Sequence, residues 1–258
     1  MRFVEDLSRF YGTGEKNSAG QTLEEYLDGY DPRQFDSPAN TTDVIVVRCK
    51  EQLNCWEQEL EVLLIKRANH PGIGFWATPG GFVEMREHID DGAARELEEE
   101  TGIKGLPLMQ MATWGEYDRD PRWRVITTSY LALVEGDIAV QAGDDAADAL
   151  WFKVRLEKSE RYLKDRACET GKEGACENGE EGTCETREEG ACEIWELVLN
   201  NEEHGIEVGA DVSVTYSGHK ILNKKHFAIA ENRGLAADHG CLITQALLYL
   251  KEQLEKGK

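Results

Sequence analysis

The order of apolar and polar residues along the chain predicts strands and helices that alternate. Two runs rich in β-branched residues, 43–49 and 60–67, flank a polar loop and predict a β-hairpin. Further strands are predicted at 74–81, where Pro79 breaks the run, and at 107–114, 124–134, 148–154, 193–200, 212–217 and 219–230. Because the pattern has no regular βαβ period, we expect a mixed sheet flanked by helices.

Three helices are predicted beside these strands. A short helix within 21–32 ends near Gly29. A second helix runs from about 90 to 101 and stops at Gly102, a residue typical of helix C termini. A third helix near 237–256 carries apolar residues at a helical spacing. The pattern therefore predicts an α/β fold with a C-terminal helix.

A repeat interrupts the pattern after residue 157. Residues 168–191 consist of the eight-residue units CETGKEGA, CENGEEGT and CETREEGA, which contain no large apolar residue. They cannot bury enough surface to offset chain ordering, so a disordered acidic loop is the simpler interpretation. The alternative is a loop that binds a soft metal through its thiols, although structural zinc sites prefer cysteines about two to four residues apart.

The chain therefore divides into four predicted parts. They are a flexible N-terminal arm at 1–20, the main α/β domain at 21–157, the acidic Cys-repeat insertion at 158–193, and added strands with the C-terminal helix at 194–258. We expect the last part to pack on the main domain.

Charge and composition narrow the classes of ligand and partner. A formal charge of -21 argues against nucleic-acid binding, which needs a basic patch. It would also repel a phosphate ligand unless a cation screened the site, which points to a metal. No apolar run is long enough to cross a bilayer, and the N-terminal segment is charged, so we expect a cytoplasmic protein without a membrane partner. The seven cysteines are then expected to be reduced thiols.

A cluster of acids stands in the segment 80–103, GGFVEMREHIDDGAARELEEETGI. On a helix, Glu96, Glu99 and Glu100 share one face because their spacing is i, i+3 and i+4. Three bare carboxylates so close together would repel one another, whereas hard divalent cations bind such oxygen ligands. A solvated acidic helix face is the alternative.

Two other features of this segment support metal chemistry. The Gly80-Gly81 pair permits backbone conformations that would turn a carbonyl toward the same metal. Glu87 lies eight residues before Arg95, and an ion pair between them would clip the loop onto the helix.

The spacing of the whole segment resembles the Nudix box, G-x5-E-x7-R-E-U-x-E-E-x-G-U, in which U is aliphatic. The positions that match are Gly81, Glu87, Arg95, Glu96, Leu97, Glu99, Glu100, Gly102 and Ile103. The resemblance implies a Nudix α/β/α sandwich with a mixed sheet, here with an added β element and a C-terminal helix. It also implies a hydrolase that uses Mg²⁺ or Mn²⁺ to cleave a nucleoside diphosphate linked to a group X.

The same resemblance assigns roles to residues of the box. The implied metal ligands are Glu96, Glu99, Glu100 and the Gly80 carbonyl. Glu87 and Arg95 would hold the geometry between loop and helix.

Segments outside the box, 117–133, 141–152 and 234–247, resemble the branch of ADP-ribose pyrophosphatases and Nudix regulators of NAD metabolism. We therefore expect cleavage of ADP-ribose or a related compound to AMP and a phosphorylated X. A non-catalytic sensor of ADP-ribose or another NAD derivative is the alternative. The regulators carry a winged-helix domain after a helix like 237–256, whereas this sequence ends at Lys258 with its box intact, which favours the enzyme. A homodimer is expected by analogy with this branch.

Substrate contacts outside the box are also predicted. Arg119, Arg122 and Arg124 are candidates to contact phosphate or ribose, since guanidinium groups suit phosphate oxygens. Ion pairs at the surface are the alternative for each arginine. Trp76 is a candidate to stack on the adenine, with a place in the core as the alternative.

The loop at 141–148 is a candidate source of the general base. Asp144 and Asp145, with Asp148 nearby, supply carboxylates there, and a polar turn is the alternative. Asp238 and His239 open the last helix, where we expect helix capping rather than catalysis.

Overall fold

The computed structural model describes residues 3–143, 146–159, 192–218 and 223–256. The chain forms two compact units, Met1–Pro38 and Ala39–Lys258. The hypothesis of a thiol-metal loop at 168–192 lies outside the described residues, apart from Cys192. The boundaries of the four predicted parts stay predictions.

The described residues of the N-terminal unit contain one α-helix. Helix α1 (Leu23–Gly29) begins with a capping box in which the Glu25 N–H donates to the Thr22 hydroxyl and the Thr22 N–H donates to the Glu25 carboxylate. The predicted helix within 21–32 is confirmed. A 3-10 turn at Pro32–Gln34 follows, and the described residues before Thr22 form turns without a helix or strand.

The second unit is built on a sheet of ten described strands. They are β1 (Ala39–Cys49), β2 (Leu60–Arg67), β3 (Trp76–Ala77), β4 (Gly80–Phe82), β5 (Met109–Trp114), β6 (Val125–Glu135), β7 (Ala146–Lys158), β8 (Cys192–Asn201), β9 (Ile206–Gly218) and β10 (Asn223–Arg233). Among the described residues of this unit there are two helices, α2 (Ile89–Thr101) and α3 (His239–Lys256).

The sheet is mixed, as predicted. Its strand order is β10-β9-β8-β7-β2-β1-β6-β5, with β3 paired to β2 and β4 paired to β1. Strands β1 and β6 run parallel, and β1 and β2 form the predicted antiparallel pair, with Val47 opposite Val62. Strands β8 to β10 extend the same sheet through β7, so the added β element continues the main sheet.

Alternating side chains of β1 show how the helices cover both faces of the sheet. Val44 and Val46 lie in one buried cluster with Leu97 of α2, whereas Ile45 and Val47 lie in a second cluster with residues of α3. Adjacent strand residues point to opposite faces, so α2 and α3 lie on opposite sides. Each fully buried side chain of this size contributes about 1.5–3 kcal/mol. The expected α/β/α sandwich is confirmed.

Helix α2 places its two faces as its sequence predicts. Ala93, Leu97 and Thr101, spaced four residues apart, are buried against the sheet. The helix ends at Gly102, whose φ of 74° is left-handed and whose N–H donates to the Glu98 carbonyl. Glu96, Glu99 and Glu100 therefore lie on the rest of the helix surface.

Candidate functional site

A cavity of about 640 Å³ opens beside the acidic residues of α2. Strands β1 and β4, the segment after β2 and the first turn of α3 contribute to its wall. Its charged lining includes the acids Glu96 and Glu100 together with Arg67, Arg119 and Arg122. The cavity thus brings carboxylates and guanidinium groups from distant parts of the sequence to one place.

The predicted ion pair between Glu87 and Arg95 is present. Arg95 donates from Nε to Glu87 Oε1 over 2.8 Å and from Nη2 to Glu87 Oε2 over 3.1 Å. Its Nη1 also donates to Glu96 and Glu99, at 2.7 and 2.9 Å. Hydrogen bonds from Arg95 lower the pKa of Glu87 to about 2. The arginine therefore ties the loop before α2 to the helix and gathers three carboxylates.

The three acids on the face of α2 stand in different surroundings. Glu100 is partly buried in the cavity wall and accepts a hydrogen bond from the Gly80 N–H over 2.8 Å. Burial, followed by repulsion from Glu96 and Asp43, raises the pKa of Glu100 to about 8. Burial also raises the pKa of Glu96. Glu99 is exposed, and it is not among the residues that line the cavity.

The two glycines before the box helix allow close approaches between neighbouring groups. A Cβ atom on Gly80 would lie 2.0 Å from the Thr42 carbonyl oxygen, because β4 runs directly beside β1 there. A Cβ atom on Gly81 would lie 2.3 Å from Glu96 Oε2. The first glycine therefore permits the strand pairing, and the second makes room for a carboxylate of the box.

Each of the three candidate arginines has a protein partner in the structure. The side chain of Arg119 is 7 % exposed and donates to both carboxylate oxygens of Asp238, at 3.0 and 2.9 Å. Arg122 pairs with Asp120, and Arg124 donates to a backbone carbonyl. Arg119 and Arg122 also line the cavity, whereas Arg124 does not. Asp238 was expected to cap α3, but its carboxylate binds Arg119 instead.

Trp76 lies in the core, so the structure places it away from an adenine-stacking position. It is 4 % exposed, its ring meets that of Phe152 edge-on with centroids 4.8 Å apart, and it is absent from the cavity lining. Its place on β3, with its large apolar ring facing the sheet core, explains the difference. The aromatic residues that line the cavity are Phe75 and Phe82.

Sequence reasoning missed a buried hydrogen-bonded group in the cavity wall. The carboxylate of Asp43 accepts from the hydroxyls of Thr127 (2.6 Å) and Thr78 (3.4 Å). Thr78 in turn donates its N–H to His239 Nδ1 over 3.1 Å. Asp43, Thr78 and His239 all line the cavity. These residues are far apart in sequence, and no local spacing connects them.

Arg67 is a second cavity residue that sequence reasoning missed. Among the described residues, its side chain makes one hydrogen bond, from Nε to the Pro71 carbonyl oxygen over 2.8 Å. Its attraction partly offsets the rise in the pKa of Glu100. The available signal was its position at the end of β2, directly before a loop that contains proline and glycine.

Comparison with known proteins identifies the family of this chain. The model of the NUDIX domain matches residues 39–167, which is half of the chain. The chain belongs to the Nudix family. The matched region includes every residue of the box, so the resemblance stated from the sequence is confirmed.

Two curated relatives show where the chain stands among Nudix proteins. It is 41% identical over 96 residues to an ADP-ribose pyrophosphatase from Methanocaldococcus jannaschii, covering 37% of this chain and 56% of that protein. It is 35% identical over 111 residues to the ADPR responsive transcriptional repressor NtrR from Acinetobacter baylyi, covering 42% of each. The chain thus spans about half the length of these relatives. The family match and the first of these names support a Nudix hydrolase.

One solved structure resembles this Nudix protein over almost its full length. A MutT/nudix family protein from Enterococcus faecalis matches with a TM-score of 0.61 and 25% identity, covering 97% of this chain and 76% of that one. The likeness therefore supports the Nudix fold for the added strands and the C-terminal helix as well.

The donor set of the Nudix box suits a hard divalent cation. Among the described residues, no three His, Cys, Asp or Glu side chains are arranged to hold an ion. The contacts explain this, because Arg95 engages Glu96 and Glu99 while Glu100 accepts from Gly80. The raised pKa values of Glu96 and Glu100 mark carboxylates that a cation would stabilise. The residues therefore fit a metal of the Mg²⁺ or Mn²⁺ type.

The candidate general bases Asp144 and Asp145 lie outside the described residues. The described chain just before them is anchored to the C terminus of α2, since Gln141 and Gly143 donate their N–H groups to the Thr101 and Glu100 carbonyls. Asp148 lies in β7 and its carboxylate accepts from the Ala149 N–H. The assignment of a general base stays a prediction.

None of the helices that the structure describes combines the length and the apolar character needed to cross a bilayer.

Proposed function

We propose that this Nudix protein is a metal-dependent pyrophosphohydrolase that cleaves ADP-ribose, or a related nucleoside diphosphate-X, to AMP and a phosphorylated X. The observation that carries the proposal is the cavity in which Glu96 and Glu100 face Arg67, Arg119 and Arg122. The acids suit a divalent cation, and the guanidinium groups suit phosphate oxygens. A pyrophosphate needs both kinds of partner. The name of the M. jannaschii relative supports ADP-ribose as the first substrate to test.

The charged residues of the box have proposed roles in this reaction. Glu96, Glu99, Glu100 and the Gly80 carbonyl would hold Mg²⁺ or Mn²⁺, which would neutralise charge on the pyrophosphate and acidify an attacking water. Arg95, held by Glu87, would fix the carboxylates of Glu96 and Glu99 through its own hydrogen bonds.

The reaction also needs proton transfer and substrate binding. Water adds to phosphorus through its oxygen, the bond between that phosphorus and the bridging oxygen breaks, and Asp144 or Asp145 takes the proton of the water. Arg67 binds a phosphate oxygen, and Phe75 and Phe82 contribute apolar surface for the rest of the substrate. Arg119 is held in place by its ion pair with Asp238. It can therefore bind the substrate only through N–H groups that this pair does not use.

The test of the proposal is AMP release from ADP-ribose by the purified protein, with Mg²⁺, with Mn²⁺ and with EDTA. NADH, ADP-glucose and diadenosine polyphosphates form the comparison panel. We expect release that requires the metal and stops in EDTA. Binding of ADP-ribose without turnover of any compound would contradict the enzyme and favour the sensor, the function that the name of the A. baylyi relative suggests.

Replacement of Arg67 should weaken substrate binding. We expect Arg67→Ala to raise KM about tenfold or more, because a charge-assisted hydrogen bond to phosphate is lost. Arg67→Lys keeps the positive charge and should lie between the wild type and the alanine variant. Steady-state kinetics with the best substrate of the panel gives the comparison.

Arg155→Ala is the matched control for this substitution. Arg155 lies on β7, is exposed and pairs with Glu157 at the surface. Its loss should leave KM unchanged. Equal KM values for Arg67→Ala and Arg155→Ala would remove Arg67 from the substrate site.

A homodimer and a cytoplasmic location stay predictions from the sequence. They carry no part of the proposed reaction.

A further inference from the structure

The two ring nitrogens of His239 have different surroundings. Nδ1 belongs to the buried group of Asp43, Thr78 and His239, whereas Nε2 takes no part in it. His239 is the first residue of α3 and is 8 % exposed. The Thr78 N–H donates to Nδ1 over 3.1 Å, and the Thr78 hydroxyl lies 2.8 Å from the same atom. Asp43 Oδ1 lies 3.8 Å from Nδ1. The ring is therefore held from one side by β1 and by the segment after β3.

The contact with Thr78 determines which nitrogen carries the proton. A backbone N–H can only donate, so Nδ1 must offer its lone pair and the proton of the neutral ring is on Nε2. Among the described residues, no group forms a hydrogen bond with Nε2. This nitrogen is not fully buried, since it is absent from the buried side-chain atoms that lack a partner. Because His239 lines the cavity and Nε2 is not fully buried, we infer that Nε2 is exposed to the cavity. The N–H of Nε2 is thus a fixed donor that faces the cavity without a protein acceptor.

The surroundings of this donor suit an anionic oxygen. His239 begins a helix of eighteen residues, and the N terminus of a helix favours negative charge. The guanidinium of Arg119, a residue that lines the same cavity, is held by Asp238, which directly precedes His239. We propose that His239 Nε2 donates a hydrogen bond to a phosphate oxygen of the substrate and so selects for the diphosphate group. This inference rests on the proposed function, because it takes the ligand of the cavity to be a nucleoside diphosphate.

Two substitutions separate this role from a structural one. In His239→Asn, the amide oxygen can take the place of Nδ1 and accept from Thr78, but no group replaces Nε2. In His239→Gln, the amide nitrogen can reach the position of Nε2, but the acceptor for Thr78 is lost. His204→Asn, at an exposed residue in the turn between β8 and β9, is the control.

The expected result is a loss of binding in the asparagine variant. With the best substrate of the panel, His239→Asn should raise KM about tenfold or more with little change in kcat, the size of effect expected for a lost hydrogen bond to a charged group that acts on binding. His239→Gln should stay within about threefold of the wild type, and His204→Asn should equal it. A wild-type KM in His239→Asn with a raised KM in His239→Gln would overturn the proposal and leave His239 a support for Thr78.

Calorimetric titration with inorganic pyrophosphate and Mg²⁺ makes the test independent of turnover. We expect the same order of affinities, with the wild type and His239→Gln above His239→Asn. A protein that binds pyrophosphate in this order without hydrolysing any compound would contradict the proposed enzyme while supporting the role of His239. Absence of pyrophosphate binding to the wild type would overturn the role of His239. If His239→Asn does not fold, the affinity of His239→Gln for pyrophosphate decides. A retained affinity supports the role of Nε2 as a donor, and a lost affinity contradicts it.

Discussion

Glu100→Gln is expected to lower kcat by about a hundredfold or more, because it removes a charge that would hold the metal at the reacting phosphate. Glutamine has the size of glutamate and fills the same place in the cavity wall. The loss would therefore report charge rather than packing. Rates of AMP release at saturating Mg²⁺ give the measurement.

The same substitution, which lowers kcat, should raise the stability of the metal-free protein at high pH. Burial raises the pKa of Glu100 to about 8, from a value of 4.5 in the absence of the fold. Between these values the folded protein binds a proton that the unfolded chain does not, so the free energy of unfolding falls as pH rises. Glutamine does not titrate. In EDTA, Glu100→Gln should therefore melt above the wild type at pH 8 and beyond, and the advantage should disappear below pH 4.5.

Glu98→Gln is the matched control for both measurements. Glu98 lies on the same helix, is exposed and pairs with Lys104 at the surface. Its replacement should change neither kcat nor the pH dependence of melting. An unchanged kcat in Glu100→Gln would remove this residue from the mechanism. Equal melting temperatures of Glu100→Gln and the wild type at high pH would contradict the claim that the buried charge of Glu100 destabilises the fold.

Gly80→Ala is expected to damage both the fold and the activity. The new Cβ atom would lie 2.0 Å from the Thr42 carbonyl oxygen and 2.9 Å from the Asp43 Cα atom. Strand β1 cannot yield easily, because it pairs with β6 along its whole length. Strand β4 must move away instead, and this breaks the hydrogen bond from the Gly80 N–H to Glu100. We expect a loss of about 3 kcal/mol in the free energy of unfolding, together with loss of hydrolysis.

Urea unfolding of Gly80→Ala beside Gly115→Ala provides the comparison. A Cβ atom on Gly115 would meet only the Arg124 Nη2 atom, at an ordinary distance of 3.7 Å. That variant should lie within about 0.5 kcal/mol of the wild type. If the two variants unfold at the same urea concentration, the close approach of β4 to β1 is not the reason that position 80 requires glycine.

Much of the box could be predicted because its geometry is local. The spacing of Glu96, Glu99 and Glu100 determines that they share the surface of one helix, and the positions of Glu87 and Arg95 allow them to pair across one loop. Helix geometry alone places the three glutamates together, and Glu87 needs only the short loop before the helix. The run of β-branched residues at 43–49 likewise predicted a strand, and it forms part of β1.

Roles that depend on partners elsewhere in the chain could not be predicted in this way. For Arg119 and Trp76 the sequence left two alternatives, and the tertiary structure pairs one with Asp238 and packs the other against Phe152. Both outcomes follow from neighbours that only the folded sheet supplies.

The sequence by itself determined the family, the acidic helix and the clip between Glu87 and Arg95, since each depends on residues within one short segment. Only the tertiary structure decided that Arg67 and His239 meet in the same cavity. Thr78 and His239 are 161 residues apart and become neighbours because the segment after β10 returns along β3 before α3 begins. Local spacing has no information about such contacts, because they arise from the packing of the sheet against its last helix.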